Sequence, residues 1–215
     1  MPMSFSTLTG SKATPGSIRN WINRDTTDPE TVLTEAQDAI FRVLRHWRMK
    51  AEAVGDLVVG DDFLPLPDDF IQPRDLWLTG FYKRRLLKGD ERLTQERYAY
   101  DDAEARVLDI PKYYYLSGEN VKFDNPPDKP YHYLLDYWRR PAELSASNET
   151  NFLTTEAPRL LRTACMLIAV EFEKEVGQGG FDRTYWQQEF MGQLQNYQIA
   201  SDAADFARDA YPEFA

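Results

Sequence analysis

Chemistry-bearing side chains are scarce in this 215-residue chain, which holds one cysteine and two histidines. A lone Cys165 excludes an intrachain disulfide framework and any multi-cysteine metal site. His46 and His132 stand 86 positions apart, with no metal-ligand spacing between them. The longest apolar run is seven residues, Ala164 to Val170, too short to cross a bilayer. The N-terminus lacks the apolar stretch of a signal peptide, so no membrane partner is expected. No Gly-rich loop ends in Gly-Lys-Ser/Thr and no GxGxxG occurs, so no phosphate cradle and no cofactor are expected. Basic residues are outnumbered, 25 against 35 acidic ones, for a net charge of −10. General coating of DNA is thereby excluded, because that affinity comes mainly from phosphate neutralisation.

Aromatic residues are plentiful: 5 Trp, 12 Tyr and 12 Phe supply the bulk of a real core. With 42% hydrophobic and 28% charged residues, the composition is that of a globular protein from a reducing compartment. The first 16 residues are small, polar and broken by Pro and Gly, and read as a flexible arm or as an extended segment that orders on a partner. Ser17 can cap a short helix carrying Ile18, Trp21 and Ile22. Asp28-Pro29-Glu30 is a helix start, and the spacing of Leu33, Ala36, Ile40, Leu44 and Trp47 predicts a helix over 29–52, with Gly55 beyond its end. Residues 56–75, rich in Pro and Asp, read as a short strand and an extended connection. A helical stretch is expected within 74–97, through Leu76, Trp77, Phe81 and Tyr82.

From about 98 to 140 the pattern becomes β. Tyr113–Leu116, the turn Ser117-Gly118-Glu119-Asn120 and Val121–Phe123 form a predicted hairpin. The rigid turn Asn125–Pro130 leads to a third strand over Tyr131–Trp138, giving an expected antiparallel meander. Thr154 or Thr155 then caps a broad apolar helix through Leu161, Cys165, Ile168 and Phe172. Gly177-Gln178-Gly179-Gly180 stops it, and a last helix from about Asp182 presents Trp186, Phe190, Leu194 and Tyr197. The predicted fold class is α+β, mainly α: a helical bundle with an antiparallel β-meander insert and extended N- and C-terminal segments. The expected organisation is an arm and short helix at 1–27, a main domain at 28–200 and a C-terminal tail at 201–215. Within the main domain, 28–55 and 154–200 form the bundle, and 56–145 is the β-containing insert.

None of the candidate sites outweighs a bland reading. His46 reads as a solvated side chain or one at the dipole of a helix C-terminus, and His132 as structural. Cys165 lies in the most apolar helix and reads as buried and inert. The pairs Asp61-Asp62, Asp68-Asp69 and Asp101-Asp102 lack EF-hand spacing and read as turn acids. One segment runs against the overall charge: residues 83–97 carry six basic and three acidic side chains. It reads as a solvated segment, with contact to an acidic surface as the functional option. No metal site and no catalytic residue is assigned. Aromatic enrichment makes oligomerisation the composition-level expectation.

Several elements follow one another in a set order: Leu33-Thr34-Glu35-Ala36 leading to Ile40, then Leu66-Pro67-Asp68-Asp69-Phe70. Gly118 then precedes Val121-Lys122-Phe123-Asp124-Asn125-Pro126-Pro127, followed by Tyr131 to Tyr137 and Trp138-Arg139-Arg140-Pro141-Ala142-Glu143-Leu144. Thr150-Asn151-Phe152-Leu153 and Ala157-Pro158-Arg159-Leu160-Leu161 open the helix that reaches Ala169 and Phe172. The pattern covers roughly 28–200, and together these elements resemble the head-to-tail adaptor (connector) proteins of tailed bacteriophages, short-tailed ones especially.

The resemblance implies a non-enzymatic virion protein at the head–tail junction, assembled in the host cytoplasm. It implies a homo-oligomeric ring of twelve below the portal protein, extending the DNA channel and giving the tail nozzle or tail tube a docking platform. Double-stranded DNA would pass without specific binding. The implied portal-docking element is the tail at 201–215, with Tyr211 and Phe214 as anchors. The implied tail-facing element is the β segment at 98–140, with Tyr113, Tyr115, Phe123, Tyr133 and Tyr137. Two alternatives stay open: a virion-associated cell-wall hydrolase using paired carboxylates, and a small accessory protein binding a partner through the aromatic β segment.

Overall fold

The computed structural model describes residues 3–23, 28–79, 83–92, 107–174 and 183–210, with the backbone path alone for 172–174 and 205–210. The fold is α+β, with six helices and two sheets among the described residues, 41% helix and 26% strand. The chain divides into two compact units, Met1–Met49 with Pro141–Ala215 and, between them in sequence, Lys50–Arg140.

The first unit is helical. Its N-terminal segment is pinned by a local cap, by burial and by a remote hydrogen bond. Ser4 caps α1 (Phe5–Leu8), whose Leu8 is fully buried, and the Phe5 N–H donates to the Glu149 carbonyl at 2.8 Å. Ser17 caps α2 (Ile18–Ile22) as its position predicts, and Asn23 closes that helix at φ 58°. Asp28 caps α3 (Pro29–Val43), with Pro29 in its first turn. This helix stops well short of the expected residue 52. Leu44 turns extended (φ −67°, ψ 133°), and the Arg45 guanidinium donates to the carbonyls of Phe41, Arg42 and Leu44, satisfying helix-end acceptors.

The short helix α4 (Phe152–Thr155) is capped by Asn151, with Thr154 closing a capping box, so both threonines lie inside α4 and neither is the expected N-cap of the long apolar helix that starts at Pro158. Helix α5 (Pro158–Lys174) buries Leu160, Leu161, Ala164, Cys165 and Ala169 almost completely and lies against both α3 and α6 (Arg183–Ala210). The segment expected as a tail from Ser201 continues α6 as far as Ala210. Gly177–Gly180 lie outside the described residues.

The second unit is a small two-sheet structure with its own core. One sheet orders its strands β1 (Lys50–Leu57), β8 (Tyr131–Arg139), β3 (Phe70–Thr79) and β4 (Arg84–Arg85). The other orders β2 (Phe63–Pro65), β7 (Asn120–Phe123), β6 (Tyr113–Ser117) and β5 (Leu87–Lys88). Leu57, Leu76, Leu78, Leu135 and Tyr137 of the first sheet share a buried cluster with Leu64, Tyr114, Val121 and Phe123 of the second. Leu86, between β4 and β5, belongs to the same cluster.

Three expectations change here. Lys50–Leu57 is a strand, so Gly55 sits inside β1 and does not follow a helix. Leu76 and Trp77 lie in β3, where burial alternates with period two; Phe81 and Tyr82 lie outside the described residues. The hairpin β6–β7 forms around Gly118 (φ +60°) as expected, but β8 pairs with β1 and β3 in the opposite sheet, so there is no three-stranded meander. Prolines at 126, 127 and 130 offer no N–H to a ladder, and the chain crosses between sheets there.

Candidate interaction surfaces

The five aromatic rings expected on the β segment divide by burial. Phe123 is fully buried, and Tyr115 and Tyr137 are nearly so. Tyr137 stacks on Phe70 (centroids 5.7 Å apart), and its hydroxyl donates to Asp69 Oδ1 at 2.9 Å. Burial first, then that hydrogen bond, pushes its phenol up to about 12. Tyr113 and Tyr133 are half-buried. The buried Asp124 carboxylate holds the start of β6, accepting from the N–H groups of Lys112 (2.9 Å) and Tyr113 (3.1 Å). Tyr211 and Phe214 lie outside the described residues.

His46 is buried, not solvated. It follows the end of α3 and stacks on Phe152 at 5.5 Å with nearly parallel rings. His132 is exposed on β8 and pairs with Asp56 across β1. Cys165 is completely buried, and burial pushes its thiol up to about 12, far from a reactive thiolate. Asp69 serves Tyr137, Asp61 and Asp68 are exposed, and Asp101-Asp102 lie outside the described residues. Among the described residues no three carboxylates, histidines or cysteines come together as a metal site. None of the described helices is long and apolar enough to cross a membrane.

Sequence reasoning missed a set of polar anchors on α6 and α3. The Gln198 side chain accepts from the Arg45 N–H (2.9 Å) and donates to the Arg45 carbonyl (3.0 Å). The buried Ser201 hydroxyl accepts from the Trp47 N–H at 2.8 Å. Gln37, fully buried in α3, accepts from the Leu144 N–H (2.9 Å) and the Asn151 amide (3.2 Å). These residues carry no motif, because each reads as an ordinary polar helix position until the loop it serves is placed.

The basic segment at 83–97 is described as far as Arg92. It is not a loop throughout: Arg84–Lys88 runs as one extended stretch that pairs with β3 through β4 and with β6 through β5. Lys83, Arg84, Arg85 and Lys88 are exposed, with Arg85 paired to Asp75 and Lys83 over the Trp77 ring. At the opposite end of both strand orders, β1 carries exposed Glu52 and Asp56, and the connection from β1 to β2 carries exposed Asp61. Beside those acids lie exposed Val54 (74%), Val58 (61%) and Phe63 (47%).

Among the described residues, the chain shows capped helices, a buried thiol and sheet margins of opposite charge. Its sequence matches the family model described as SU10 adaptor protein over residues 15–211, and the chain belongs to that family. Membership makes it a phage structural adaptor, a non-enzymatic virion component that meets portal and tail proteins. Comparison with curated proteins gives no match.

Proposed function

We propose that the chain assembles as a ring of about twelve copies below the portal of a short-tailed phage, extending the DNA channel and offering the tail its docking platform. The family match over residues 15–211 carries this reading. The acidic composition supports it: twelve copies at −10 each bring about −120 before screening, which repels duplex phosphates and lets DNA pass without specific binding. In this reading the protein is assembled in the host cytoplasm and resides at the head–tail junction. Tyr211 and Phe214 anchor the C-terminal end on the portal, and the segment 98–140 faces the nozzle or tail tube. Because Tyr115, Phe123 and Tyr137 are core residues, contact falls to the turns and half-buried rings of the described part of that segment.

Negative-stain microscopy of the purified chain mixed with the portal protein of the same phage tests the reading. The expected image is a second ring coaxial with the portal. A portal ring that stays bare at micromolar adaptor overturns it.

A further inference from the structure

The Lys50–Arg140 unit carries opposite charge on its two margins. The strand orders β1-β8-β3-β4 and β2-β7-β6-β5 place β1 and β2 at one margin and β4 and β5 at the other. The pairing is unambiguous, because five residues link β1 to β2 and Leu86 alone links β4 to β5. Three strand spacings of about 4.8 Å separate the margins, roughly 14 Å across each sheet.

The first margin presents Glu52, Asp56 and Asp61 around the exposed Val54, Val58, Val59 and Phe63, against one half-buried cation, Lys50. The second presents Lys83, Arg84, Arg85 and Lys88 around the exposed Leu87 (54%), with Asp90 and Glu91 at its end. Several of these charges also have partners on their own chain: Asp56 with His132, Arg85 with Asp75, Lys83 with Trp77. Each margin therefore combines apolar side chains with one dominant sign of charge, and the two signs are complementary.

A net charge of −10 makes random approach of two copies unfavourable. The basic margin is the place where an incoming acidic margin gains instead of losing, so the charge pattern selects one relative orientation. We infer that copies of this chain join head to tail through their β units, the β1–β2 margin of one against the Arg84–Lys88 margin of the next. Two different surfaces meet in such a contact, so it is heterologous and propagates from copy to copy, closing into a ring when the rotation allows. Valines and Phe63 on one side and Leu87 on the other supply the apolar part, while the charges set register. The inference deepens the ring reading and rests on it only for closure.

Two double variants test it. Glu52→Lys with Asp61→Lys makes both margins basic; Arg84→Glu with Lys88→Glu makes both acidic. All four side chains are exposed, so far-UV circular dichroism should match the wild type. Sedimentation velocity over a concentration series, with and without portal protein, reads association. The expected result is concentration-dependent association of the wild type that weakens with added NaCl. Each variant alone should associate at least about tenfold more weakly, and a 1:1 mixture of the two should recover association, because every contact then pairs unlike charges. If a double variant misfolds, the neutral pair Asp61→Asn and Arg84→Gln replaces it, with intermediate losses expected. A variant that assembles like the wild type, a mixture that fails to recover, or a wild type monomeric under both conditions overturns the contact. Portal binding by the same samples separates the two levels. Assembly through these margins by a chain that ignores portal removes the adaptor reading alone; complete rings of either double variant, without the other, on portal remove the contact alone.

Discussion

Gly55 on β1 stands directly opposite Tyr133 on β8, and a Cβ at Gly55 would lie 2.8 Å from the Tyr133 hydroxyl oxygen and 2.9 Å from its ring. The glycine is there for room, since the tyrosine ring crosses the neighbouring strand at that point. Gly55→Ala forces the half-buried ring to swing aside, and because the atoms met are the outer end of a side chain the expected cost is about 1 kcal/mol, the low end of the overpacking range. Tyr133→Ala removes the obstacle, so the double variant should lose less than the sum of the two single ones. Urea unfolding of all four proteins checks this, and additive losses would refute the steric account.

The same pair shows why part of the fold was hidden in the sequence. Read along the chain, Gly55 follows an apolar periodicity at 33, 36, 40, 44 and 47 and resembles a helix terminator. Helix and strand periodicities overlap across 44–57, and what decides is the partner strand β8, about eighty residues later. The features that were legible were local: the caps Ser17 and Asp28, the Gly118 hairpin, the apolar stripe of α5. Those that were missed depend on remote pairing, as with Leu76 and Trp77 in β3, β8 in the opposite sheet, and Gln198 and Ser201 serving residues 45–47. The complementary margins were half visible: the basic segment stood out in the sequence, but its counterpart needed the strand order to appear.

Burial of Cys165 and Tyr137 makes the protein sensitive to alkali. Both groups hold their protons up to about 12 in the folded chain, against ordinary values of about 8.5 and 10 when unfolded. Over that interval the unfolded state releases protons that the folded state keeps, so stability is full below about pH 8.5 and falls as pH rises toward 12. Cys165→Ala should flatten the part of the decline that begins near pH 8.5 and leave the later part in place, which Tyr137 shares with Tyr131 and the other tyrosines whose phenols are pushed up (Tyr114, Tyr133 and Tyr197). Denaturant midpoints between pH 7 and 11 measure both. In the native protein Cys165 should react with a thiol reagent only at the rate of unfolding.

Asp28 caps α3 with one carboxylate oxygen on the Glu30 N–H (3.2 Å) and the other on the Thr31 hydroxyl (2.6 Å). The Thr31 hydrogen bond, more than any other contact, holds its carboxyl below the ordinary range. A lowered folded value means that this contribution is present above the unfolded carboxylate range, near pH 4, and is lost as pH falls through the folded value. Asp28→Ala is expected to cost about 0.5–2 kcal/mol at pH 7. Asp28→Asn keeps a competent cap and should cost less, without the acid-side dependence. Thermal unfolding at pH 3 and pH 7 distinguishes the two. A pH-independent gap between wild type and Asp28→Asn would remove the role of the charge.

Ser201 sets where the C-terminal end can be cut without damage. Its buried hydroxyl receives the Trp47 N–H, and Gln198, one turn earlier, clamps both backbone groups of Arg45. Removing everything from Ser201 would leave that N–H without its acceptor, at about 1–3 kcal/mol, and would weaken the first unit besides removing a docking element. A chain ending at Ala210 retains α6 and deletes only Tyr211–Ala215, the residues proposed to anchor on the portal. The Ala210 truncation is expected to keep the wild-type melting temperature and to lose at least about tenfold in portal affinity, as for removal of aromatic anchors. Ser201→Ala in the full-length chain should do the opposite, lowering stability with little change in portal binding. Calorimetry paired with a portal-binding titration on both proteins checks the prediction. Wild-type affinity in the Ala210 truncation would move the docking element elsewhere.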